Sequence, residues 1–108
     1  MAKRAEAYKS DVAKKLRNPK FANDYMHALI YNHETSFKDA LAEMIDTFGQ
    51  VEFAEHSEIK ASNVSRMVER LRNDENIKEA TLEKLLKVFG LTLTIGARVA
   101  DQRELKEA

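Results

Sequence analysis

Three side chains with base-reading chemistry stand close together in the stretch "IKASNVSRMVERLRND", residues 59–74: Ser62, Asn63 and Arg66. A guanidinium donates two parallel hydrogen bonds to a guanine edge, an amide matches an adenine edge, and a hydroxyl bonds either a base or a phosphate. On a helix, separations of one, three and four residues place all three on the first turn and a half of one face. Lys60, Ser65, Arg70 and Arg72 surround them with groups suited to phosphate contacts. Gln50, further upstream, starts another helical stretch, where its amide and the free backbone N–H groups can meet a phosphate oxygen. A polar helix face is most often simply solvated, so the reading of this one depends on what flanks it.

The flanks supply a packing frame. With Gln50 as the first position of a helix-turn-helix, Ala54 falls at the fifth, where two helices crossing steeply need a small residue. Ile59, Val64 and Met67 fall at the tenth, fifteenth and eighteenth, where aliphatic side chains seat the second helix on the first, and Phe53 fills the fourth. Val64, Met67, Val68 and Leu71 then point inward, leaving Ser62, Asn63, Ser65, Arg66, Glu69 and Arg70 outward.

Other elements must hold this pair. Tyr8, Val12 and Leu16 predict a thin amphipathic helix over about 4–17, too narrow in its apolar stripe to stand alone. Asn18 can cap a second helix and Pro19 suits its first position; Phe21, Tyr25, Met26, Leu29 and Ile30 give it a core face to about residue 32. Ser36 can cap a third, whose stripe of Phe37, Leu41, Met44, Ile45 and Phe48 ends at Gly49. After the polar connection 73–80, Thr81 begins a last core helix with Leu82, Leu85, Leu86 and Phe89 inward and Gly90 as its terminator. Leu91, Leu93 and Ile95 then alternate with threonines, which predicts a strand with no partner in the chain. It has two readings, an edge that caps the core and a dimer contact; a two-fold partner would supply the missing strand, and the dimer is preferred.

The bulk properties agree. A chain of 108 residues has the length of one domain, and 44% apolar residues with only three glycines and one proline favour an all-helical fold. Equal numbers of basic and acidic residues, 18 of each, exclude a histone-like coat for nucleic acid, so any such binding must be local. The basic excess lies at the N-terminus, and residues 36–60 hold two basic against six acidic side chains. Glu52, Glu55 and Glu58 repel phosphates unless they point away from the groove. With no cysteine, no i, i+4 pairing among His27, His33 and His56, and no nucleophile motif or glycine-rich phosphate loop, neither metal, cofactor nor catalysis is expected. No apolar run reaches membrane-spanning length and the N-terminus lacks a signal-peptide core, so a cytoplasmic location is expected.

On these residues the chain resembles the XRE/Cro-type helix-turn-helix family, and more closely the addiction-module antidote proteins, the HigA-like antitoxins and related prophage regulators. The carriers are "LRNPKFANDYMHALI", "FAEHSEIKASNVSRMV" and "TLEKLLKVFGLTLTI", over roughly 16–95. Two positions depart from that pattern: Glu58 stands where glycine with positive φ is common, a conformation costing another residue on the order of 1 kcal/mol, and Ser57 stands where leucine is frequent. The resemblance implies a lambda repressor-like domain, a homodimer that represses its own operon by binding an operator in double-stranded DNA, and neutralisation of a RelE-like RNA-cleaving toxin in a bacterial cytoplasm.

The expectation is therefore an all-α bundle of about five helices over 19–99 containing the helix-turn-helix and the C-terminal strand, preceded by a basic leader, 1–18, and followed by a charged tail, 100–108. Ser62, Asn63 and Arg66 would read bases; Gln50, Lys60, Ser65, Arg70 and Arg72 would hold phosphates; Leu91, Leu93 and Ile95 would make the dimer. The alternatives are a solitary prophage-type repressor and a protein-interaction module without DNA binding. The basic leader has three open uses: a disordered segment, a DNA arm, or a toxin-docking segment.

Overall fold

The computed structural model describes residues 10–94, and every regular element among them is a helix. Helix α1 covers residues 10–15 of the described chain. It is followed by α2 (Pro19–Asn32), α3 (Phe37–Phe48), α4 (Gln50–Glu55), α5 (Ala61–Arg72) and α6 (Glu79–Lys87).

Local signals set most of these boundaries. The Asn18 side chain accepts hydrogen bonds from the backbone N–H groups of Lys20 and Phe21, and Pro19 follows with a φ already suited to a helix. Ser36 caps α3 by accepting from the N–H of Asp39. Gly49, at φ 104°, closes α3 and opens α4 as the single residue between them. Helix α6 starts at Glu79, two residues before the expected Thr81: Lys78 has extended backbone angles, and its carbonyl already accepts from the N–H groups of Thr81 and Leu82. It ends at Lys87, and the turn that follows closes at Gly90, after which the N–H of Leu91 bonds back to the carbonyl of Leu86.

The apolar stripes converge on one core. Val12 and Leu16 are buried in it, so the narrow stripe around α1 has its partner in the body of the protein. Leu41, Met44 and Ile45 from α3, Val64, Val68 and Leu71 from α5, and Leu82, Leu85 and Leu86 from α6 fill its middle. Three rings join α3, α4 and the end of α6. Phe48 meets Phe89 edge-on with centroids 5.6 Å apart, Phe53 lies 5.7 Å from Phe89, and Phe48 and Phe53 are 6.5 Å apart, again edge-on. Edge-to-face contact of this kind adds about 0.5–1.5 kcal/mol per pair to the burial itself. No polar side chain is buried among the described residues, so the core holds by apolar packing alone.

After α6, residues 91–94 have no strand partner among the described residues, and Leu91 and Leu93 rest half-buried against the core. The remainder of the expected strand, including Ile95, lies outside the described residues, as do 1–9, with Tyr8, and the charged tail.

Candidate nucleic-acid interface

Helices α4 and α5 with the five residues between them form the helix-turn-helix, and the frame residues take the places their spacing requires. Phe53 is fully buried, Val64 likewise, and Ala54, Ile59 and Met67 are half-buried where α4 and α5 meet the core. Helix α5 is strongly two-faced because its apolar residues recur at 64, 67, 68 and 71, every third or fourth position.

Glu58 does not adopt a left-handed conformation; Glu34 and Asp74 are the non-glycine residues with positive φ among the described residues. The turn is closed by Ser57 instead. Its Oγ accepts from the N–H of Ile59 at 3.1 Å and lies 3.3 Å from the carbonyl of Ala54, to which it can donate. A leucine at this position could make neither bond. The hydroxyl supplies a local turn of the kind serine favours, so the backbone has no need of glycine at the next residue.

The outward face of α5 divides into free and engaged groups. Ser62, Asn63, Ser65 and Arg66 are exposed, as is Lys60 at the helix start, and none of the five makes a side-chain hydrogen bond or ion pair among the described residues. The N-terminus of α5 has no side-chain cap. The other candidate phosphate contacts are already paired. Arg70 donates to the carbonyl of Asn76 at 3.1 Å and faces Glu75 at 3.5 Å, bracing the connection to α6. Arg72 donates to Asp46 at 2.6 Å and lies 3.4 Å from Glu43, both on α3. The hydrogen bond to Asp46, then the charges of Asp46 and Glu43, raise the Arg72 pKa above its ordinary value, so it stays charged at any working pH. Gln50 donates its amide to the other oxygen of Asp46 at 2.8 Å.

The acidic residues of α4 and the turn have other neighbours. Glu52 pairs with Arg17 at 3.2 Å and lies 4.0 Å from His56. Glu55 and Glu58 border a half-open groove of about 650 Å³ that Lys84 and Lys87 of α6, Val88 just after it, Phe48 and Ile59 also line. Ser62, Asn63 and Arg66 take no part in that groove. Arg17 lines the same groove, so Glu55 and Glu58 share it with three basic side chains.

Asp46, Glu43 and Arg17 were not among the residues singled out from sequence. Asp46 lies on α3 and Gln50 starts α4, so their contact crosses the break at Gly49 and the i, i+4 spacing within one helix does not predict it. Arg72 with Asp46, and Arg17 with Glu52, are 26 and 35 residues apart and left no local signal. Among the described residues no three His, Asp or Glu side chains come together as a metal site, and no helix is long and apolar enough to cross a membrane. Compared with protein-family models, curated proteins and solved structures, the chain matches none.

Proposed function

We propose that this protein is a sequence-specific DNA-binding regulator that acts as a homodimer, with α5 laid in the major groove. The observation that carries the reading is the face of α5. Ser62, Asn63 and Arg66 are exposed and uncommitted on a helix whose opposite side is locked into the core by Val64, Val68 and Leu71. A helix held rigidly from behind presents donors in fixed positions, which base readout requires. Arg66 would pair with guanine, Asn63 with adenine, and Ser62 with a base or the adjoining phosphate, while Lys60, Ser65 and the uncapped start of α5 would hold the backbone.

The toxin-antitoxin role follows from the resemblance to HigA-like antitoxins. In that role the dimer represses its own operon in a bacterial cytoplasm and binds a RelE-like toxin through a second surface; no reaction is assigned to the chain. A second reading has an observation of its own. Gln50, Arg70 and Arg72, three of the five groups expected to hold phosphates, are engaged within the chain, as suits an interaction module on a helix-turn-helix scaffold that does not bind DNA.

Selection of bound duplexes from a random pool at low salt separates the two. DNA binding gives an enriched, two-fold symmetric site with half-sites about 34 Å apart, one duplex turn. If nothing is enriched, or if Arg66→Ala leaves the enriched site bound equally well, the readout model is wrong.

A further inference from the structure

Two of the groups expected to hold DNA phosphates, Gln50 at the start of α4 and Arg72 at the end of α5, converge on one carboxylate. Asp46 Oδ1 accepts from Gln50 Nε2 at 2.8 Å, and Asp46 Oδ2 accepts from Arg72 Nη2 at 2.6 Å. Glu43, one helical turn earlier on α3, adds a second oxygen 3.4 Å from the same guanidinium nitrogen. All three ionic side chains are partly exposed, so water and a ligand can reach the cluster.

A carboxylate and a phosphodiester offer a guanidinium and an amide the same acceptor geometry: two anionic oxygens on one centre. The two oxygens of Asp46 are divided between the two donors, as those of a bridging phosphate would be. We propose that Asp46 is a built-in competitor for the DNA backbone. It occupies the donors of Gln50 and Arg72 in the free protein and must yield them, or share them, when a phosphate arrives.

This inference rests on the DNA-binding reading and concerns the regulation of that same surface. The contact lowers affinity for duplex of any sequence, because phosphate contacts supply nearly all non-specific binding, and it leaves the base-reading face of α5 untouched. The ratio between operator and bulk DNA is unchanged, because both complexes lose the same phosphate contribution; what falls is the absolute binding to bulk duplex, which lacks the added contacts of Ser62, Asn63 and Arg66. For a chain with no net charge, holding two donors in reserve is a way to bind weakly everywhere except at a site that supplies base contacts as well.

The test measures binding of the full chain to random-sequence duplex and to the selected site across a salt series. Asp46→Asn keeps the size and the acceptor for Gln50 but removes the anion; Glu43→Gln is the milder companion. Asp24→Asn, an exposed acid on α2 outside the cluster, reports what one unit of charge does by itself. The expected result is random duplex bound about three- to tenfold tighter by Asp46→Asn, with a salt slope steeper by about 0.9 per protomer. A smaller gain is expected for Glu43→Gln and less for Asp24→Asn. Adding Arg72→Gln to Asp46→Asn should remove the gain, since the freed guanidinium is its source. Thermal melts of each variant verify that the fold is retained. If the wild type binds DNA but Asp46→Asn gains no more than Asp24→Asn, or keeps its gain without Arg72, the competitor model is overturned and the DNA reading stands. If no variant binds any duplex, both are overturned.

Discussion

The hydroxyl of Ser57 accepts a hydrogen bond from the backbone N–H of Ile59 at 3.1 Å, and this bond sets the turn between the two helices of the candidate DNA reader. The turn therefore tolerates Glu58, which needs no left-handed backbone. Ser57→Ala should cost about 1 kcal/mol, the net worth of one partly buried hydrogen bond. Glu58→Gly, which would relieve strain if the backbone were left-handed there, should instead destabilise by about 0.5–1 kcal/mol through the added freedom of the unfolded chain. Urea denaturation of the two variants checks both signs.

The ring cluster makes α4 dependent on α6. Phe53 is fully buried between Phe48 and Phe89, so Phe53→Ala should cost about 3–5 kcal/mol, a large share of the stability of a domain this size. Loss of helical circular dichroism on heating should shift to much lower temperature. A shift of only a degree or two would mean the cluster relaxes around the gap.

Among the described residues, Gly49 and Gly90 have positive φ but different surroundings. At Gly90, φ is 71° and a Cβ would lie 2.6 Å from Cγ of Pro19; at Gly49, φ is 104° and the nearest atom to a Cβ would be 3.7 Å away. Gly49→Ala should cost about 1–2 kcal/mol for the backbone conformation, and Gly90→Ala should cost more, because α6 must also move off the start of α2. The difference should appear as a lower Tm for Gly90→Ala, by about 4–8 °C for each further kcal/mol.

Among the basic residues of the candidate interface, the free and the engaged should behave differently. Lys60→Ala removes an uncommitted cation and should reduce the salt slope of DNA binding by about one per protomer. Arg70→Ala should change the slope less and stability more, since Arg70 is held by Asn76 and Glu75. Arg66→Ala should weaken the selected site by about 1–3 kcal/mol and relax preference at one base position. Equal effects of Lys60→Ala and Arg66→Ala on all sequences would refute the division into base and backbone contacts.

The proposed dimer has its own measurement. Leu93 rests half-buried against the core, leaving part of its side chain for a partner. Sedimentation at tens of micromolar should show a dimer that Leu93→Lys dissociates; a monomer unchanged by that substitution would remove the two-fold model.

The sequence by itself determined where the helices lie, because helix formation answers to neighbours within about four residues. Asn18 with Pro19, Ser36, Gly49 and Gly90 mark boundaries through capping bonds and backbone angles that act locally, and the apolar spacing from Phe53 to Met67 already contained the helix-turn-helix frame. The apolar spacing starts α6 at Thr81 and the helix starts at Glu79, two residues earlier, where neither a large apolar residue nor a side-chain cap marks it. Tertiary structure alone decided which polar groups are free. Arg66 and Arg72 are six residues apart on one helix, about 120° apart around its axis, and nothing local says which of them meets a partner. Arg66 faces solvent, on the side away from the buried Val64, Val68 and Leu71, while Arg72 on the last turn meets Asp46 of α3. Electrostatic pairing depends on where the chain comes back in space, and that is fixed only when the core of Phe48, Phe53 and Phe89 closes.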